Sequence, residues 1–263
     1  MSDGKWGDLG PRAGSAVVMI AVGAVALWLG GIAFALLATL IVVLMIWELV
    51  RMVRPRHEVA ARQEAGIVAV LFPLAILYPS FAVFLLLIAA GVLAGRTGTH
   101  MGLVALYTGG IFLAGLGLVQ IRLDHGMGMA LWLVGLVVIT DVAGYFAGRI
   151  LGGPKFWPKV SPKKTWSGTV AGWIGAVILS LIVAIWVYDW PMAWVIWTVP
   201  GAVALSLASQ MGDIAESAIK RKMKVKDSSN LIPGHGGVMD RFDGMMGAGL
   251  ALMLGLLVVH MAA

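Results

Sequence analysis

Between Asp213 and Asp243 the chain collects residue types that handle polyanions. Lys220, Arg221, Lys222, Lys224 and Lys226 are five cations within seven residues, Pro233-Gly234-His235-Gly236-Gly237 follows, and Asp240 and Asp243 stand three apart. Carboxylates in a poorly solvated setting beside Lys and Arg suit a highly charged ligand held in part through a metal. Mg²⁺ prefers oxygen ligands and is usually held by one or two carboxylates plus substrate phosphates. Asp213, Asp240 and Asp243 are the candidate ligands. Lys220 to Lys226 would neutralise phosphate oxygens. The glycine turn lets backbone approach a phosphate and present N–H groups.

Helical spacing puts Asp213, Glu216, Ser217, Lys220 and Lys224 on one face. A solvated surface helix would give the same stripe, but here Asp213 sits directly below an apolar span. A second basic segment, Gly152 to Gly168, contains Ser161-Pro162-Lys163-Lys164-Thr165, two cations between two hydroxyls. Its prolines and glycines exclude one long helix. Asp141 is an acid inside a span, with no cation until Arg149. Such a carboxylate faces a cavity, a partner or an ion, or makes a helix–helix hydrogen bond. Glu48, near the end of its span beside Arg51 and Arg54, reads as a snorkelling ion pair.

The elements that must position these groups are membrane helices. Of 263 residues 60% are hydrophobic and 12% charged, about half the charge of a soluble domain, and mean hydropathy is +0.94. Nine apolar spans are expected: Ser15–Leu29, Ile32–Val50, Ala65–Tyr78, Phe81–Gly95, Met101–Ile121, Met127–Ile150, Gly168–Tyr188, Met192–Gln210 and Gly244–Met261. The first two make a hairpin broken at Gly30-Gly31, and the Tyr78-Pro79-Ser80 join reads as a loop or a kink. The expected fold is an all-α polytopic membrane protein. With nine spans, every one of the 19 Lys and Arg except Arg122 falls on one side, Lys5 included. The positive-inside rule makes that side cytoplasmic, in the cell's inner membrane, with the N-terminus inside and the C-terminus outside. The charge of +6 therefore reads as topology, not nucleic-acid binding. Arg51 to Arg62 fits contact with anionic membrane lipid. There is no cysteine, which excludes disulfides and thiolate metal sites. No removable signal peptide is read at the N-terminus.

The run S-x-I-K-R-x4-K-D-x-S-x2-I-P-x-H-G-G-V-x-D-R-F-D, Ser217 to Asp243, resembles the signature of the phosphatidate cytidylyltransferases, or CDP-diacylglycerol synthases. "SPKKTW" and "DVAGYFAGR" match as well. The resemblance covers 127–263 as a catalytic region with loops 151–168 and 211–243, behind a variable half, 1–126. It implies transfer of CMP from CTP to phosphatidic acid, with Mg²⁺ and room for a second cation, in phospholipid synthesis. Catalytic roles are implied for Asp213, Lys226, Asp240 and Arg241. Phosphate or nucleotide contacts are implied for Ser161, Lys163, Lys164, Thr165, Ser217, Lys220, Arg221, His235, Gly236 and Gly237. His235 also reads as a plain turn residue, and Asp227 as a partner of the neighbouring lysines. Ser167 stands where the family commonly has Glu, and no catalytic role is expected of it. A CTP-dependent polyprenol or lipid kinase, or a transporter using Asp141, are the competing readings. Glycine-rich helix faces are compatible with a homodimer.

Overall fold

A computed structural model describes residues 9–98 and 100–262. Lys5, part of the charge tally above, lies outside them. Nine helices in the described residues are long and apolar enough to cross a membrane. They are α1 (Leu9–Leu29), α2 (Gly31–Val53), α3 (Glu58–Leu77), α4 (Ala82–Thr97), α5 (Met101–Asp124), α6 (Gly126–Ile150), α7 (Trp166–Ile182), α8 (Met192–Lys222) and α9 (Met239–Ala262). The α1–α2 hairpin turns at Gly30, whose φ of 64° favours a residue without Cβ. Pro79–Phe81 forms one 3₁₀ turn between α3 and α4, so the Tyr78-Pro79-Ser80 join separates two helices. A π-helical turn, Val183–Val187, extends α7.

The loop before α7 folds as a hairpin, β1 (Lys155–Trp157) and β2 (Ser161–Thr165), paired antiparallel with Lys155 opposite Thr165. Thr165 accepts a hydrogen bond from Gly168 N at 3.2 Å and so caps α7, satisfying one of the orphan amides of its first turn.

Helix α5 packs against α2, α4 and α9, while α6, α7 and α8 form a second group joined to the first through α8 and α9. The core includes Ile46, Leu49, Phe72, Phe112 and Leu133, with Phe72 and Phe112 edge to face at 5.1 Å. Arg122 Nε donates to Leu27 O at 2.8 Å, so the ends of α1 and α5 lie together, as an alternating up-and-down order requires. Ile20, Ile32, Leu106 and Trp186 are exposed. In water that surface would be a liability, whereas hydrocarbon takes it without cost. The chain is a multi-pass membrane protein.

Two features of this frame set up the site. Helix α8 has 31 residues, about 46 Å of rise against a hydrocarbon core of about 30 Å, so it is longer than one crossing needs, and its charged residues gather in its last turns. Helices α8 and α9 also cross at glycines. A Cβ on Gly247 would fall on Ala208 O, and one on Gly212 would fall on Asp243 O. No side chain is tolerated in that crossing. Gly247→Val should therefore push the helices apart. We expect a loss of about 3 kcal/mol or more, the upper end of overpacking costs, read as a lowered melting temperature with activity abolished. A Gly247→Val protein with wild-type melting and turnover would contradict the close crossing.

Candidate active site

The glycine crossing brings three acids together from two helices. Oxygens of Asp213 and Glu216 on α8 and Asp243 on α9 all lie within 4.8 Å of one another. Glu216 is fully buried, and its Oε1 has no hydrogen-bond partner among the described residues. One turn before Asp213, Ser209 also carries a buried hydroxyl without a partner. Leaving a buried carboxylate oxygen unpaired is costly. An all-oxygen set of this size fits a hard divalent cation, because opposite ligands on Mg²⁺ at about 2.1 Å stand about 4.2 Å apart. The residues present therefore fit the metal.

Lys220, one turn beyond Glu216, ties this cluster to the start of α9. Its Nζ lies 2.5 Å from Glu216 Oε2 and 2.6 Å from Asp240 Oδ1. The other Asp240 oxygen accepts from Ser228 N at 2.9 Å, Ser228 Oγ at 2.8 Å and Gly237 N at 2.8 Å. Asp240 is thus saturated by loop donors and one lysine. Asp240 and Asp243, three apart on one helix, point into different company: the first organises the loop, the second joins the acid cluster.

The β1–β2 hairpin closes over the same place. Lys164 Nζ lies 2.6 Å from Asp213 Oδ2 and donates to Gln210 O at 3.2 Å. Arg221 Nε donates to Val160 O at 2.6 Å, which links the two basic segments directly. Between α6, α7, α8 and the hairpin is a cavity of about 440 Å³, lined by Asp141, Arg149, Lys163, Lys164, Thr165 and Asp213 among others. Asp141 therefore faces a polar cavity. A second cavity, about 500 Å³, lies toward the other end of these helices among Trp132, Trp190, Trp194 and Trp197. No charged residue lines it, and its Trp132 Nε1–Ser180 Oγ bond is internal to the wall, so it does not suit a polyanion.

Other nominated residues sit at the edges. Ser217 Oγ approaches Asp213 Oδ1 at 3.4 Å. Lys226 is exposed on the loop after α8, and Ser161 pairs with Trp157 in the hairpin. Arg241 Nε donates to His235 O at 3.0 Å, within the glycine turn. His235 Nδ1 meets Ser15 Oγ of α1 at 2.8 Å, which favours the turn-residue reading. Gly236 bridges to Ile232. A Cβ on Gly237 would collide with Ser228 Oγ and Glu48 Oε1. Ser167 hydrogen-bonds Gly152 O and Thr165, a local tie in the hairpin. Lys224 falls just past the end of α8 with φ 58°, off the helical stripe.

Glu48 corrects the sequence expectation. It makes no ion pair with its neighbours, because Arg51 pairs with Glu58 and Arg54 with Glu64. The Glu48 carboxylate is fully buried and accepts from Ser228, Ser229, Val238 and Met239. Glu216 and Arg149 were also not nominated. Glu216 was legible as part of the α8 stripe, one turn after Asp213, whereas nothing in the spacing placed Arg149 at the cavity.

Known proteins resemble the chain along most of its length. The cytidylyltransferase family profile matches residues 11–259. A phosphatidate cytidylyltransferase of Brucella suis is 36% identical over 249 residues, 90% of each chain. Proteins of the same name from Helicobacter pylori strain 26695 and Staphylococcus epidermidis strain ATCC 12228 are 33% and 28% identical over 168 and 123 residues. These cover 63% and 47% of this chain, and 60% and 46% of theirs. A match across nearly the whole length places the chain in the cytidylyltransferase family.

Proposed function

We propose that this chain transfers CMP from CTP to phosphatidate, giving CDP-diacylglycerol and pyrophosphate, on the cytoplasmic face of the cell's inner membrane. The observation that carries the reading is the meeting of the Asp213–Glu216–Asp243 cluster with the hairpin lysines through the Lys164–Asp213 pair. In the reaction a lipid phosphate oxygen bonds to the α-phosphorus of CTP, the α–β bridging P–O bond breaks, and its electron pair leaves with pyrophosphate.

A phosphate monoester has its second pKa near 6, so the headgroup is already largely dianionic at neutral pH. The difficulty is bringing two polyanions together and stabilising the leaving group, which calls for positioning and charge more than for a base. Asp213, Glu216 and Asp243 would hold Mg²⁺, which when bound supplies positive charge to the triphosphate. Arg149, Lys163 and Lys164, lining the cavity that meets the cluster at Asp213, would hold the phosphoryl groups. Lys220 keeps Glu216 and Asp240 in place. Acyl chains stay in the bilayer beside α6, α7 and α8 while the headgroup reaches the cavity.

Offering labelled CTP with phosphatidate and, separately, with diacylglycerol in mixed micelles tests the acceptor. The phosphate-bearing lipid alone should become labelled. Equal or greater use of diacylglycerol would mean that a hydroxyl is the acceptor and that the reading is wrong. A pH profile probes the same point. Below about pH 6 the headgroup gains a proton, so the rate should fall on that acidic limb, and His235→Ala should leave the limb where it is. Loss of the limb in His235→Ala would reveal a histidine base.

A further inference from the structure

We propose that Glu48, in the half of the chain remote in sequence from the site, is a positioning residue for this transfer. It fixes the Ser228–Met239 loop and the first turn of α9. The inference rests on the CMP-transfer reading above.

The contacts divide evenly between its two oxygens. Oε1 accepts from Ser229 Oγ at 2.6 Å and Val238 N at 2.8 Å. Oε2 accepts from Ser228 Oγ at 3.1 Å and Met239 N at 2.7 Å. Val238 and Met239 supply amides that the start of α9 leaves without helical partners, and a carboxylate there also meets the positive end of the helix. Its neighbouring arginines pair with other acids, so among the described residues these donors are what Glu48 meets. Its own helix is a rigid reference, since Ile46, Leu49 and Val50 are fully buried beside it. Ser228 then hands the constraint on: its amide donates to Asp240 Oδ2, its one hydroxyl proton is shared between Asp240 Oδ2 and Glu48 Oε2, and Asp240 holds Lys220, which holds Glu216. Asp243 stands one turn after Met239. A rotation of that first turn displaces Asp243 from Asp213 and Glu216 without touching any of the three.

Glutamine cannot replace this carboxylate. Each oxygen faces one backbone N–H, so either orientation of an amide sets its NH₂ against a donor that cannot turn away. Misplacement of a reacting group by about 1 Å can cost about 100-fold in rate. In Glu48→Gln we expect kcat to fall about 10- to 100-fold. The half-saturating Mg²⁺ concentration should rise several-fold, and amide hydrogen exchange should quicken in the 228–239 segment. The melting temperature should fall too, since a buried N–H loses its acceptor, but the shift in Mg²⁺ dependence should persist at temperatures where the variant is fully folded.

The full-length enzyme in detergent, assayed with CTP and phosphatidate at varied Mg²⁺, gives each readout. A Glu48→Gln enzyme with wild-type kcat and Mg²⁺ dependence overturns the proposal. So does a kcat loss that merely tracks the unfolded fraction at unchanged Mg²⁺ dependence, the result of a purely structural role. Should Glu48→Gln fail to fold, Ser229→Ala removes one of the four bonds and should shift the Mg²⁺ dependence in the same direction, and no shift there overturns the proposal equally. Wild-type enzyme run alongside separates the two levels. If it transfers no CMP, the functional reading fails and takes this inference with it, whereas normal wild-type transfer with an unaffected variant removes Glu48 alone.

Discussion

Asp243→Asn lowers kcat/KM about 1,000-fold, roughly 4 kcal/mol of transition-state stabilisation, in a protein that still folds and inserts. Asparagine keeps the size of the side chain and removes one of the three acids whose oxygens gather within 4.8 Å. The thermal behaviour should run opposite to the activity. Without divalent metal the variant is as stable as wild type or more so, because repulsion among the acids is relieved. With Mg²⁺ it should gain less stability than wild type, since stabilisation by a ligand follows its affinity for the folded state. Titrating Mg²⁺ in a melting assay and in the turnover assay reads both. A variant keeping more than about a tenth of activity, a barrier change below roughly 1.4 kcal/mol, would remove Asp243 from the cluster's function.

Lys220→Met has the second large effect, and here stability and activity fall together. Lys220 stands between Glu216 and Asp240, with side-chain exposures of 17%, 0% and 4%. Taking away the cation leaves two buried carboxylates without their shared partner. Breaking a buried pair in this way typically costs about 3–5 kcal/mol. We expect a clear drop in melting temperature and no measurable turnover. Adding Glu216→Gln to Lys220→Met should return part of the stability, since one unpaired charge is gone, while turnover stays absent. If the double variant were less stable than Lys220→Met, the lysine would not be acting as counter-ion to Glu216.

Much of this architecture was legible because the membrane imposes simple rules. Span length, glycine breaks and the side preference of Lys and Arg are local properties, and they yield nine helices with both basic segments on one side. The hairpin at Lys155–Thr165 was legible only as a non-helical segment, since strand pairing depends on register that a short Pro- and Lys-rich run does not reveal. At the site, the stripe on α8 showed which side chains share a face. It did not show that Asp240 would be taken up by Ser228 and Gly237 while Glu216 entered the acid cluster. That division depends on where α9 begins and on how closely Gly212 and Gly247 let the helices cross. Glu48 was misread for a related reason. Arg51 and Arg54 are its neighbours along the chain, whereas its real partners lie some 180 residues away, at Ser228, Ser229, Val238 and Met239. Sequence spacing reports contacts within one helix and is silent about which helices meet.

The central claim is that two basic segments and an acid cluster drive attack of a lipid phosphate on the α-phosphorus of CTP. Parallel reactions with CTP labelled at the α- or the γ-phosphorus, with phosphatidate and Mg²⁺, test it most directly. The account predicts that α-label enters the lipid fraction while γ-label is recovered in water-soluble pyrophosphate, one for one. Transfer of γ-label to lipid would make the protein a kinase, and retention of both labels in CTP would leave it without this chemistry; either result contradicts the account.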